Sequence, residues 1–357
     1  MRLVVFSYLL TFLQTALAQE RTSTFNRSDT FNPAGREIWM LTYFRQRYPT
    51  RIEIDKEGKT IEVPLANPML NAKLHIAFSN DGRHWTPLND NQPIWDQTMR
   101  DPFIHRGSDG IWRLVATGGS SIKEDREQFG PSCLYATSRD LVHWKAEAYL
   151  HLMKDVRNDS GALVRNIWAP EFFYDESAEE YVLFWSSSFK DAGWKDSRLW
   201  YCKTRDWKTF SSAKALFSPP YSVIDGTIVK HAGTYYLFHK EEMFGALNGE
   251  RRAIRLATSK NLEGPYQVQN GPLNNGQLVP TITEGPSVMT DPVNPGWLLL
   301  YDYPMADRFG ISSSRDLVNW SIEKDISLPA DARHGSVSRI TEEEAKTLLL
   351  LFPGNKR

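Results

Sequence analysis

Five times along the chain an alternating run of apolar and polar residues ends in the same short phrase. Residues 75–85 read HIAFSNDGRHW, 134–144 LYATSRDLVHW, 200–210 WYCKTRDWKTF, 254–266 IRLATSKNLEGPY and 309–320 FGISSSRDLVNW. The two-residue period predicts a strand. The Ser or Thr and the Asp or Asn that follow predict a turn, because such side chains bond to backbone two or three residues on. The closing aromatics are Trp85, Trp144, Phe210, Tyr266 and Trp320, spaced 54 to 66 residues apart. A period of that length built from short strands predicts propeller blades rather than a helical solenoid, and five copies predict five blades. The same repeat explains Asp140 and Asp316, which look catalytic in isolation, as turn caps.

A second series interleaves with the first. Its openers are Arg100-Asp101-Pro102-Phe103-Ile104, Pro170-Glu171-Phe172-Phe173-Tyr174, Ile224-Asp225-Gly226-Thr227-Ile228, Thr283-Glu284-Gly285-Pro286-Ser287-Val288 and Arg333-His334-Gly335-Ser336-Val337. Four are followed by an aromatic and aliphatic strand: IWRLVATGG (111–119), EYVLFWSSS (180–188), TYYLFHKEE (234–242) and GWLLLYDYP (296–304). The fifth has no such partner after it, and the matching segment, REIWMLTYF at 36–44, lies near the N-terminus instead. The fold expected is therefore an all-β, five-bladed β-propeller over 35–357, with the ring closed by N- and C-terminal strands in one blade. Closure of that kind removes an open sheet edge. Thr341 to Glu344 has the pattern of a capping box and predicts a short helix.

The N-terminus changes the expected location. Arg2, the apolar stretch Leu3–Leu13 and the small-x-small site at Ala16-Leu17-Ala18 predict a cleavable signal peptide over 1–18, and hence a secreted or periplasmic protein with no membrane association after cleavage. Residues 19–34 read as a polar lead-in. Cys133 and Cys202 fit no zinc or redox spacing and read as buried thiols in strands, with a bridge as the alternative. The 42 basic and 43 acidic side chains are interspersed and leave a net charge of −1, which gives no electrostatic footprint for nucleic acid. Aromatics make up 12% of the chain, including 12 Trp. The repeat assigns most of them to packing and leaves Trp168 as the first choice for a sugar-stacking platform.

Innermost propeller strands line the central channel, so the leading side chains of the openers are expected to share one cavity. Those are Asp101, Glu171, Asp225, Glu284 and His334. Crowded carboxylates raise one another's pKa values, an arrangement that points to function rather than to structure. Glycoside hydrolysis needs such a set: one carboxylic acid kept protonated for the leaving oxygen, and one carboxylate to activate water or attack the sugar.

The series Asp101-Pro102, Trp168-Ala169-Pro170-Glu171, Ile224-Asp225-Gly226, Glu284-Gly285-Pro286 and His334-Gly335-Ser336-Val337 resembles glycoside hydrolase family 43, from about residue 36 onward. The resemblance implies an inverting α-L-arabinofuranosidase or β-xylosidase acting on plant cell-wall polysaccharide or oligosaccharide. It implies Asp101 as general base, Glu284 as general acid and Asp225 as the carboxylate that tunes and orients the acid. Trp168, Glu171 and His334 then fall to sugar binding. The resemblance calls for no cofactor, except that an axial histidine, here His334, helps hold calcium or its water shell in some members. The alternatives carried forward are a related propeller glycosidase for another sugar (a β-galactosidase or an agar-oligosaccharide hydrolase) and a non-catalytic carbohydrate-binding propeller.

Overall fold

The computed structural model describes residues 37–47, 50–54, 60–64, 70–120, 123–193, 196–242, 252–271, 277–280, 282–306 and 308–354. The signal peptide and lead-in expected over 1–34 lie outside the described residues. Five four-stranded antiparallel sheets form the ring. From the innermost strand outward, blade I is Arg100–Arg106, Trp112–Thr117, Cys133–Ser138 and Lys145–Leu150. Blade II is Trp168–Asp175, Glu180–Ser187, Arg198–Thr204 and Lys214–Phe217. Blade III is Val223–His231, Thr234–Glu241, Ala253–Ser259 and Gln267–Gln269. Blade IV is Glu284–Thr290, Trp297–Tyr303, Arg308–Ser314 and Ser321–Ile322. Blade V takes its innermost strand, Ala332–Ile340, from the C-terminal side, followed by Ile38–Gln46, Leu70–Ser79 and Thr86–Pro87. The ring thus closes as the sequence predicts, by pairing Ile38–Gln46 with Ala332–Ile340.

The second strand of each blade is largely apolar through its middle because both of its faces are covered. Tyr181, Leu183 and Trp185 of blade II pack toward blade I, while Val182 and Phe184 pack toward blade III. Ile38 and Met40 of blade V face blade I, and Trp39, Leu41 and Tyr43 face blade IV. Alternation along a strand thus distributes side chains between two interfaces, and one apolar cluster fills each of the five gaps between blades.

The repeated phrase forms the turn it predicts. Asp81, Asp140, Asp206 and Asp316 each accept hydrogen bonds from the backbone N–H groups two and three residues on. The residue after each Asp is left-handed: Gly82, Leu141, Trp207 and Leu317, with φ between 59° and 71°. Trp85, Trp144 and Trp320 donate their indole N–H to the carbonyl of that same residue, which locks the turn to the inter-blade core. Cys133 and Cys202 are free, buried thiols in the cluster between blades I and II, and burial pushes both up, Cys133 to about 12.

Around the axis, side chains stitch neighbouring blades together. Ser336 Oγ accepts from Ile104 N–H at 2.9 Å, Ser287 Oγ accepts from Val337 N–H at 3.1 Å, and Thr42 Oγ1 donates to Pro102 O at 3.0 Å. At the closure, a Cβ on Gly335 would stand 1.6 Å from Thr42 O, so the two strands can pair only with glycine there. Gly335→Ala is expected to cost about 3 kcal/mol through forced backbone displacement, read as a lower urea midpoint at an unchanged m-value.

Outside the ring, the Thr50–Ile54 and Thr60–Pro64 hairpin leaves blade V between its second and third strands. The Glu342–Leu351 helix starts with the predicted capping box, Thr341 accepting from Glu344 N–H while Glu344 accepts from Thr341 N–H. Among the described residues no helix is long and apolar enough to cross a membrane.

Candidate active site

Every innermost strand carries a bulge near its start. In blade I, Arg100 pairs with Thr117 and pairing resumes at Phe103 and Val115, so Asp101 and Pro102 stand opposite one residue. The same shift occurs at Ala169-Pro170, Asp225-Gly226 and Gly285-Pro286. The first bulged residue is left-handed in these four blades, with φ of 50° at Asp101, 42° at Ala169, 52° at Asp225 and 61° at Gly285. Blade V has its extra residue at His334, between the Arg333–Phe44 and Gly335–Tyr43 pairs. Bulges re-aim side chains, and left-handed Asp is tolerated where most residues are strained.

This register refines the equivalence read from the sequence. Asp101, Asp225 and His334 do occupy one structural position, the bulge. Glu284 sits one residue before its bulge, at the position of Arg100, Trp168 and Arg333. Glu171 sits just after its bulge, opposite Phe184 and at the position of Ser287. There it is buried and bonded to Thr227 of the next blade, in the layer of inter-blade ties. Burial holds the Glu171 carboxyl well above the usual range, with Asp225 adding to the effect. The sequence misplaces it because a one-residue bulge shifts every later side chain relative to the strand start.

The bulge residues meet at the axis. His334 Nδ1 lies 3.5 Å from Asp101 Oδ1 and 3.8 Å from Asp225 Oδ2. Asp225 is fixed from two sides, its N–H donating to Ser186 Oγ at 3.0 Å and its Oδ2 accepting Gly285 N–H at 3.2 Å. Gly285 is itself required, since a Cβ there would stand 2.6 Å from His334 Cγ. Burial opposes charge on His334, but Asp225 and Asp101 outweigh it and raise its pKa. The groups facing His334 thus suit an imidazolium clasped by two carboxylates better than a calcium ion, which takes six to eight oxygen ligands. Among the described residues no three His, Cys, Asp or Glu side chains are grouped to hold a metal.

Glu284 lies between two cations that the sequence reading did not single out. Lys240 Nζ is 2.7 Å from Glu284 Oε2 and 3.0 Å from Glu242, and Arg333 pairs with both Glu284 Oε1 and Asp302. Burial alone would raise Glu284, but Lys240 and Arg333 hold it down at about 2. Asp225 goes the other way: burial pushes it up to about 7, helped by Glu284 and Asp101 and opposed by His334. At neutral pH in the free site, Glu284 is therefore ionised, while Asp225 titrates close to neutrality.

Lys240 and Asp302 share a position that the sequence marks. They are the seventh residues of TYYLFHK and GWLLLYD, where blades I and II have Thr117 and Ser186. All four reach across to the opener of the next blade: Thr117 to Ala169 N–H, Ser186 to Asp225 N–H, Lys240 to Glu284 and Asp302 to Arg333. A charged residue ending an otherwise buried strand was the available signal. Trp168 stands half-buried at the same level as Glu284, with the Arg100 guanidinium 5.9 Å over its ring.

Carboxylates and fixed cations gathered on the axis of a five-bladed ring make the frame of a glycosidase. Residues 67–346 match the model of the family-43-related group described as a probable glycosyl hydrolase domain, and the chain belongs to that family. Over 194 residues it is 32% identical to an α-L-arabinofuranosidase of Bifidobacterium longum subsp. longum. That match covers 47% of this chain and 18% of the relative, so the chain spans less than a fifth of that protein. Among solved structures, a thermostable family-43 glycoside hydrolase is similar over 69% of this chain and 80% of its own, at 16% identity and a TM-score of 0.48. An exo-β-1,3-galactanase of Phanerochaete chrysosporium is similar over 67% of this chain and 52% of its own, at 15% identity and a TM-score of 0.47.

Proposed function

We propose that this glycoside hydrolase releases L-arabinose or D-xylose, with inversion, from plant cell-wall polysaccharide or its oligosaccharides outside the cell that makes it. Glu284 protonates the leaving oxygen, Asp101 activates water on the opposite face of the sugar, and Asp225 tunes and orients Glu284. The observation that carries this reading is geometric: Asp101 and Asp225 meet at His334 on the axis, and Glu284, held by Lys240 and Arg333, stands on the strand whose Gly285 N–H is bonded to Asp225. Asp101 and Glu284 stand on blades I and IV, separated by blade V. That separation suits an inverting pair, which leaves room for a water.

An acid must carry a proton when the bond breaks. Glu284 takes one up from solvent as the sugar binds, when water is displaced from around it and Lys240 leans toward Glu242, its second partner. Both changes favour the neutral carboxyl. The name of the Bifidobacterium relative supports the arabinose arm. A panel of aryl α-L-arabinofuranoside, β-D-xyloside and β-D-galactoside tests the reading. Turnover of the arabinofuranoside or xyloside, with the inverted anomer seen first by NMR, is the expected result. Turnover of the galactoside alone would move the assignment to another sugar. Binding of sugar with no release of any would move it to a non-catalytic propeller.

A further inference from the structure

Arg100 and Trp168, at the level of Glu284, also border a depression of about 500 Å3 on the end of the ring where the innermost strands of blades I and II begin. Through Gly130, Pro131, Val164 and Lys190 it runs into a second depression of about 580 Å3, further from the axis. Together they make a groove that starts at Arg100 and Trp168, which hold on blades I and II the strand position that Glu284 holds on blade IV.

Its charge is one-sided. Arg100, Arg165 and Lys190 line the inner part, and Lys123, Lys154 and Arg157 the outer part. Among the described residues the only carboxylate on either lining is Glu127, 3.5 Å from Lys123. Lys154 and Lys190 are exposed, and among the described residues neither lies within ion-pair distance of a carboxylate. A chain with a net charge of −1 has thus gathered six cations along one path from its axis. Fixed like charges lining a cleft repel one another in the empty protein and concentrate counter-charged ligands.

Resting on the glycosidase reading above, we propose that this groove holds an anionic stretch of the glycan on the leaving side of the cleaved bond. The groups recognised are sugar carboxylates or sulfate esters. The glycosidic oxygen then lies at Glu284, Trp168 and Arg100 border the first leaving-side unit, and Lys190, Lys154 and Arg157 meet the charges further out. Lys and Arg suit this task because they recognise carboxylate and sulfate oxygens without demanding one sugar ring.

Titration calorimetry with three trisaccharides tests this without any turnover: trigalacturonate, a sulfated galactotriose and neutral galactotriose. One or both charged ligands are expected to bind about tenfold tighter than the neutral one at about 20 mM salt, with the margin closing near 0.5 M as screening shortens the field. The tighter of the two assigns the groove to carboxylate or to sulfate. Lys154→Ser with Lys190→Ser is expected to remove most of that margin, and Lys154→Arg with Lys190→Arg to keep it. All three proteins, wild type and the two double variants, should melt alike, since both side chains are exposed. Equal affinity for charged and neutral trisaccharides, or an undiminished margin in the double Ser variant, overturns the proposal. Because binding is read directly, failure of every aryl glycoside would sink the hydrolase reading while the calorimetry still decides this one.

Discussion

Glu284→Gln and Asp101→Asn are each expected to lower kcat on a natural-type glycoside by about 100- to 10,000-fold, the usual reach of one positioned acid or base. Both exchanges keep side-chain shape, but Glu284→Gln also removes the negative partner of Lys240 and Arg333 and should melt lower, so rates are compared well below both melting temperatures. The two losses should separate with leaving group. A 2,4-dinitrophenyl glycoside leaves without a proton, so Glu284→Gln should recover much of its rate on that substrate. Asp101→Asn should not recover, because the attacking water still lacks its base. Equal rescue of both variants, or wild-type turnover in either, would refute the assigned roles.

Lys240→Met is expected to give the largest loss of stability in the site. It removes one of the two cations on a buried carboxylate and leaves Glu242 without its ammonium partner. Breaking a buried pair from one side costs about 3–5 kcal/mol. The pH dependence carries a definite sign. Glu284 is depressed from 4.5 to about 2 in the folded protein. Its ion pairing therefore stabilises the fold above the unfolded pKa, and that contribution is lost as pH falls through about 2. The deficit of Lys240→Met relative to wild type should be full at pH 7 and shrink below about pH 4.5, read by urea unfolding across that range. Activity supplies a second readout. With Lys240 gone, Glu284 holds its proton to higher pH, so the alkaline edge of the rate profile should move upward. A variant as stable as wild type at pH 7 would show that the pair contributes nothing net.

The blades were legible because their signals are local. The Asp caps at 81, 140, 206 and 316 and the aromatic beside each turn follow from the chemistry of four or five consecutive residues. Closure between 36–44 and the opener at His334 was legible too, because each lacks a partner in its own half of the chain. The level of each side chain along the axis was not legible. It depends on bulges whose left-handed residues, Asp101, Ala169, Asp225 and Gly285, share no residue type. Glu171 was therefore grouped with the carboxylates that meet at the axis, although the structure places it among the inter-blade ties. Lys240, Asp302 and Arg333 are marked in the sequence only as charges near strand ends; their partners lie 44, 31 and 49 residues away, so the pairing itself follows from no local pattern. The Thr50–Ile54 and Thr60–Pro64 hairpin alternates as strands do but belongs to no repeat, so the five-fold pattern does not point to it.

Blade V has a bearing on how the enzyme matures. Its innermost strand, Ala332–Ile340, carries both Arg333, which holds Glu284, and His334, which faces Asp101 and Asp225. During synthesis, blades I to IV emerge before that strand does. A nascent chain with four blades in place has Glu284 held by Lys240 alone and Asp225 without its histidine until the strand docks against Ile38–Gln46. One strand thus both completes the site and seals the ring.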